Sequence, residues 1–184
     1  MTGILKTKRF IVRPFTWEDL KTFTSYRAIP SVAQFQSWQD YTYDDAVALY
    51  KNMDYANFPV QGRWYQLAIA DRHSDTIVGD LAVYFTDDHQ AEIGFTVAPA
   101  FQQSGAAFEA VNGLLDYLFL VLKKHRVIAV TDIRNIPSCR LLEKTGFRQE
   151  AHYVKNIFFK GSWGDEYLYA MLDEDYRQSA ESKI

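Results

Sequence analysis

Three runs in the middle of the chain, Trp64–Ala70, Thr76–Phe85 and Ala91–Val97, carry apolar residues densely enough to read as strands. The connections between them, Arg72-His73-Ser74-Asp75 and Thr86-Asp87-Asp88-His89, are short and polar, which predicts antiparallel hairpins. Upstream, Arg9–Arg13 predicts one more strand. Thr16 is placed to cap a helix running to about Ala28, with Asp19 at its third position and Pro30 limiting its extension. Thr42 is placed to cap a second helix over Tyr43–Asn57, stopped by Pro59. Downstream, Ala107, Val111, Leu114, Leu115, Leu118 and Leu122 recur at three- and four-residue spacing and predict a helix over Gly105–Leu122. Arg126–Thr131 reads as an apolar, β-branched strand. Ser138–Thr145 reads as a short helix that Gly146 ends in a left-handed conformation. Phe147–Phe158 and Trp163–Leu172 predict a hairpin turning at Lys160-Gly161-Ser162, and Gln178 to Ile184 is polar enough to fray. This order gives a mixed sheet with helices, an α/β or α+β domain.

Length limits the picture to one domain, since 184 residues leave little room for a second. The 13 Phe, 12 Tyr and 4 Trp are many, and a sheet covered on both faces would absorb most of them. With 20 Lys+Arg against 23 Asp+Glu the net charge is −3, which disfavours a nucleic-acid or anionic-membrane binder. The single Cys139 excludes an internal disulfide and a cysteine-based zinc site. No apolar run approaches the roughly 20 residues that span a bilayer, and with no apolar segment behind Lys6, Lys8 and Arg9 a secretory signal is not expected. The expected setting is a reducing cytoplasm.

The most informative stretch follows Ala91–Val97 and reads Pro99-Ala100-Phe101-Gln102-Gln103-Ser104-Gly105-Ala106-Ala107-Phe108-Glu109. It leads from a strand into a helix with small residues where backbone must come close. The free N–H groups and dipole of a helix start suit a pyrophosphate. An ordinary helix start with small packing residues fits the same spacing. A phosphate-cradling P-loop and a Gly-x-Gly-x-x-Gly fingerprint are both absent from the chain.

Taken together, the motifs resemble the GNAT superfamily of acyl-CoA N-acyltransferases, within it the RimJ/RimL-like ribosomal-protein N-terminal acetyltransferases. The likeness runs from about Leu5 to Leu172. It rests on Leu5-Lys6-Thr7-Lys8-Arg9-Phe10-Ile11-Val12-Arg13-Pro14-Phe15, Val78-Gly79-Asp80, Ala91-Glu92-Ile93-Gly94-Phe95 and the loop above. It continues through His125-Arg126-Val127-Ile128-Ala129, Asp132 to Phe147, and Gly161 to Ala170. The resemblance implies a single-domain GNAT fold over residues 1–184, with a mixed, mostly antiparallel sheet of about seven strands and helices on both faces. It implies acetyl-CoA as cosubstrate, held in a splay between Ala91–Val97 and Arg126–Thr131. Backbone of Phe95, Thr96 and Val97 would bind the pantetheine. Gln102, Gln103, Ser104, Gly105, Ala106 and Ala107 would cradle the pyrophosphate, and Asn135 with Ser138 would open the next helix beside the thioester. Many relatives have Gly-Lys-Gly where Gln103-Ser104-Gly105 stands, and a small Thr or Ser in place of Phe108.

Direct transfer from a thioester needs a neutral amine. A lysine-type amine, pKa about 10.4, is neutral in about one molecule in two thousand at pH 7, a deficit of about 4–5 kcal/mol. An α-amine, pKa about 7.7–8.0, faces only about 1 kcal/mol. Glu92 is the candidate base, as the resemblance implies, or else a surface or salt-bridging glutamate. Ile157 occupies a second family position for such a base, and Leu142 the position of a common tyrosine acid. Ser138 is the candidate acid for the leaving thiolate, or the cap of its own helix, or both. Glu150 and Glu166 read as structural or surface charges. Trp38, Tyr41, Tyr43, Trp64 and Tyr65 either line an acceptor cleft or pack in the core. No metal is expected, because no paired histidines occur at ligand spacing. The acceptor is expected to be a primary amine on a protein N-terminus, with a polyamine, amino acid or antibiotic as the alternative. A CoA-binding module with little transferase activity is the rival from another class. Nucleic acid and membrane are not expected partners, and a monomer or homodimer is expected.

Overall fold

The computed structural model describes residues 4–181. Its single sheet has eight strands: β1 (Leu5–Lys6), β2 (Phe10–Pro14), β3 (Trp64–Asp71), β4 (Ile77–Phe85), β5 (Gln90–Val97), β6 (Arg126–Asp132), β7 (Arg148–Phe159) and β8 (Ser162–Leu172). Their spatial order is β1-β2-β3-β4-β5-β6-β8-β7. Every neighbouring pair is antiparallel except β5 and β6, which run parallel. The eighth strand is the two-residue β1, too short for a periodicity to announce it. The expected meander of β3, β4 and β5 and the final hairpin are both present.

Six helices cover the sheet: α1 (Asp19–Arg27), α2 (Pro30–Ala33), α3 (Tyr43–Asn52), α4 (Ala106–Asp116), α5 (Ile136–Thr145) and α6 (Asp173–Glu181). Alternation along the strands divides the apolar residues between two cores. One side packs Val12, Leu67, Leu81, Val83 and Ile93 against Ala110, Val111, Leu114 and Leu118 of the α4 segment. The other packs Ala68, Ala70 and Ile77 against Phe15, Leu20, Phe23 and Tyr26 around α1. Tyr65, Tyr169, Phe15, Phe23, Phe85 and Phe119 are all fully buried, so the aromatic excess is largely core.

Several helix ends differ from the spacing-based expectation for local chemical reasons. Helix α1 starts at Asp19 rather than after Thr16, because Asp19 is the acceptor there: its carboxylate takes the Thr16 N–H at 2.7 Å and the guanidinium of buried Arg13 at 2.6 Å. Pro30 opens the short α2 instead of only ending α1. Thr42 caps α3 as expected, and Asp45 completes a reciprocal cap. That helix stops at Asn52, well short of Asn57, and the Asp54 side chain starts a separate 3-10 turn over Tyr55–Asn57. Helix α4 gives way after Asp116 to a wider π turn over Tyr117–Val121. The expected fraying from Gln178 is not seen through Glu181, because α6 runs over those residues; Ser182 to Ile184 lie outside the described residues. Three acidic residues, Asp173, Glu174 and Asp175, open that helix and favour its N-terminal dipole.

The feature that positions everything else is the β5–β6 contact. Its register pairs only Gln90 with Arg126, Ala91 with Val127 and Glu92 with Ile128. Beyond Glu92, β5 stays with β4 as far as Val97 opposite Gly79, while β6 stays with β8 as far as Asp132 opposite Glu166. The strands therefore part, as the resemblance implied. Gly79 permits the close β4–β5 approach at that end, since a Cβ there would stand 2.4 Å from the Thr96 carbonyl oxygen and 3.0 Å from Val97 Cα. Gly79→Ala is accordingly expected to cost about 1–3 kcal/mol, as an overpacked site without a flexible neighbour does. Urea unfolding of the variant checks this.

Candidate active site

From Ile93 onward the edge of β5 that faces β6 has no strand partner, and a cavity of about 240 Å³ fills the gap. Ile93, Gly94 and Phe95 form one wall, and Ala129 to Asp132 the other. Asn135, Ser138 and Leu142 enter from α5, Ile157 and Phe159 from β7, and Glu166 from β8. Unpaired backbone donors and acceptors along such an edge suit an elongated amide-bearing ligand. The Asn135 side chain accepts the Ser138 N–H at 3.4 Å, so Asn135 is the cap of α5 and the helix starts before Ser138. That leaves the Ser138 hydroxyl half-buried and without a partner among the described residues.

The loop from β5 to α4 ends in left-handed Gly105, φ 80°, directly before Ala106, and no side chain caps this helix. Glu109 N–H donates to the Gly105 carbonyl, so the first-turn donors before it lack intrahelical acceptors. Gln103 also adopts a positive φ of 58°. The Gln102 side chain is used within the loop, donating to the Val97 carbonyl at 3.1 Å. Ser104 Oγ likewise donates to the Phe101 carbonyl, at 2.5 Å. What these residues offer outward is backbone, an uncapped cradle that fits a pyrophosphate. Arg9 braces it from β2's start, with Nη1 on the Ser104 carbonyl at 3.0 Å and Nε on Glu109 at 2.6 Å.

On the α1 side of the sheet lies a second cavity of about 480 Å³. It shares Gln36, Ser37, Ile93, Gly94, Phe95 and Val130 with the gap, so the two are continuous. Glu92, Gln66, Asp80 and Thr96 line it, with small Ala82 and Gly94 as its floor, and Trp38, Tyr41 and Trp64 as aromatic walls. Tyr65 is core instead, and Tyr43 is exposed away from the cavity. Asp80 is the fixed charge of this chamber. It accepts from Tyr26, Gln66 and Arg27 Nη2, the last at 3.1 Å, and the Arg27 guanidinium lies 3.9 Å from the Trp38 ring centre. Burial works against the charge of Arg27, but Asp80 outweighs it and its pKa rises. Burial and then Asp80 push the Tyr26 phenol well up.

Glu92 differs from Asp80 in having no cation beside it among the described residues. Burial first, and then the Glu166 carboxylate, raise its pKa above the ordinary glutamate value. Glu166, expected as a structural or surface charge, is half-buried and faces the gap. Its inward direction depends on strand register across the hairpin, which composition does not reveal. Asp80 was detectable in principle, as a lone carboxylate in the apolar run Ile77-Val78-Gly79-Asp80-Leu81-Ala82-Val83. Glu150 stays outside, ion-paired with Arg126 and Arg148. Cys139 is buried, with its thiol pKa raised chiefly by desolvation. His73 and His89 are exposed, and no group of three metal-ligating side chains occurs among the described residues.

An acetyltransferase (GNAT) domain model matches residues 9–148. The chain belongs to the GNAT acetyltransferase family. This GNAT chain is 32% identical over 176 residues to the uncharacterized N-acetyltransferase YnaD of Bacillus subtilis, covering 94% of this chain and 98% of that one. It superposes on the crystal structure of a GNAT-family acetyltransferase from Bacillus anthracis with TM-score 0.82 and 28% identity, over 92% and 98% of the two chains. Shorter matches reach enzymes with different acceptors. The spermidine N(1)-acetyltransferase of Vibrio cholerae is 31% identical over 50% of this chain and 53% of its own. The ribosomal protein uS5-alanine N-acetyltransferase of Escherichia coli is 27% identical over 48% and 45%. The protein is thus a GNAT N-acetyltransferase of RimJ-like kinship, and no described helix is long and apolar enough to cross a membrane.

The chamber wall gives a stability prediction. Asp80→Asn leaves the Arg27 guanidinium buried without its counter-charge, at an expected cost of about 3–5 kcal/mol. Chemical denaturation at pH 7 measures it.

Proposed function

We propose that this GNAT enzyme transfers the acetyl group of acetyl-CoA to a primary amine, a protein N-terminal α-amine being the favoured acceptor. The observation that carries the reading is Glu92, an unpaired carboxylate with raised proton affinity where the aromatic chamber meets the strand gap. Backbone of Phe95, Thr96 and Val97 would hold the pantetheine, and the loop from Gln102 to Ala107 the pyrophosphate. The bound thioester supplies an activated acyl group. Glu92 removes a proton from the amine, directly or through a water. Ser138, whose hydroxyl is free, passes a proton to the departing sulfur. A backbone N–H near Val97 polarises the carbonyl.

The α-amine is favoured on its smaller deprotonation cost, and on the space beyond the chamber. A further cavity of about 580 Å³, lined by Gln34, Asp40, Arg134 and Lys160 among others, adjoins the gap through Phe35 and Phe159. It leaves room for chain following the amine. A polyamine is the second reading, favoured by the two carboxylates, Glu92 and Glu166, that face one cleft.

Acetyl-CoA is expected to raise the thermal midpoint of the protein. Without that shift at saturating concentration, the acetyl-CoA reading fails. Thiol release with a panel of N-terminal peptides and polyamines ranks the two acceptor classes. Catalysis requires ionised Glu92, so kcat/KM should fall as pH drops through a pKa above the usual glutamate range. Glu92→Gln should lower kcat/KM by about 10²- to 10⁴-fold and abolish that acid limb. The same variant should be as stable as the parent or more so. A carboxyl whose pKa is raised by folding opposes the folded state whenever it is ionised, and glutamine removes that charge. Loss of both rate and stability would instead mark Glu92 as structural.

A further inference from the structure

Glu166 has no task in the reaction as described, yet its surroundings are specific. It is half-buried and lines the gap with Ser138 and Asn135. Pairing in register places Asp132 opposite Glu166 and Ile128 opposite Glu92. Alternation along β6 then puts Glu92 and Glu166 on the same face of the sheet, flanking the parted strands from either side. The Glu166 carboxylate is aimed by Asn156, whose Nδ2 donates to Oε2 at 2.5 Å. Asn156 reaches it because β7 breaks register between Tyr153 and Ile157. At that break Lys155 takes a left-handed φ of 48° and its N–H donates to Asp165 at 2.9 Å. Such a bulge re-aims the side chains that follow it.

The aspartates around the pair already have side-chain partners. Asp132 on β6 is held by Arg134 at 2.6 Å, Asp165 beside Glu166 by His152 at 2.7 Å, and Asp80 across the chamber by Arg27. From the remaining elements, Tyr84 of β4 faces Glu92 and Tyr153 of β7 faces Glu166 in register, while the loop contributes neutral Gln36 and Ser37. Glu92 and Glu166, unlike Asp80 and Asp132, have no ion-pair partner among the described residues.

We propose that Glu166 is a positioning residue that, with Glu92, receives the acceptor as an ammonium ion and holds it between two carboxylates until a proton has moved to Glu92. The inference rests on Glu92 as the base. In the step, one N–H bond breaks and an O–H bond forms on Glu92. Glu166 stays ionised beside the protonated Glu92, and the freed nitrogen lone pair is the one acetyl transfer consumes. The enzyme then draws on the abundant charged amine rather than its scarce neutral fraction. Repulsion between the carboxylates serves the same end, because it disfavours leaving both ionised once the cation is gone.

The test is steady-state kinetics of Glu166→Gln across pH, with Glu166→Asp and Glu92→Gln in parallel and CoA affinity by calorimetry. Glutamine keeps the size and the Asn156 contact. The amine KM is expected to rise roughly tenfold, the loss of one charge-assisted contact, and far more than kcat above the acid limb falls. The acid limb of kcat/KM should move to lower pH, CoA affinity should stay unchanged, and Glu166→Asp should recover most of the amine affinity. An amine KM and acid limb equal to the parent's overturn the proposal, as does an equal loss in CoA affinity. If Glu92→Gln keeps the limb, it is the base assignment that fails. The KM ratio of Glu166→Gln then still decides whether Glu166 receives the cation.

Discussion

The structure depends on two parallel strands that touch for three residues and then separate. β5 is committed to β4 on one side and β6 to β8 on the other, so their hydrogen-bonding edges diverge into the interior. Backbone groups left unpaired away from water cost about 1–3 kcal/mol each. A gap lined by them is a standing requirement for a partner with amide chemistry. The same divergence places α5 against one end of the opening and the uncapped start of α4 near the other. A thioester, its leaving group and its phosphates can thus be met by three different elements without any element being distorted.

Two carboxylates of opposite surroundings line the chamber, Asp80 buried and Glu92 half-buried. Asp80 is saturated by Tyr26, Gln66 and Arg27, and its role is to lock α1 to β4 and fix the chamber wall. Glu92, twelve residues on, has the opposite environment: burial and a like charge, with no donor to quiet it. Fully partnered charge holds geometry, whereas unpartnered charge retains the proton affinity that a base needs. Arg27 lies against the Trp38 and Phe23 rings with its guanidinium paired to Asp80, not to Glu92.

Most of the elements were legible because the signals are local. Apolar runs located β3, β4 and β5, Thr42 located the start of α3, and Gly146 located the end of α5. Glu92 and Ser138 were legible through motif resemblance, and the structure places both on the cleft walls. Glu166 was not, because its direction depends on a bulge in the partner strand and on pairing with Asp132, 34 positions away. Asn135 rather than Ser138 caps α5, a choice set by backbone geometry one turn earlier than the residue types suggest. Helix α6 was hidden by its polarity: its mean composition resembles a tail, and only its acidic opening signals a helix.

Cys139 follows Ser138 directly, and the turn of α5 sends the two side chains in different directions. The hydroxyl faces the opening, while the thiol lies in the core beside Tyr169 with its proton held more tightly than usual. Thiolate, not thiol, is the form that attacks an acyl carbon or an oxidant. The chain therefore keeps its one soft nucleophile protonated and away from the opening that Ser138 lines.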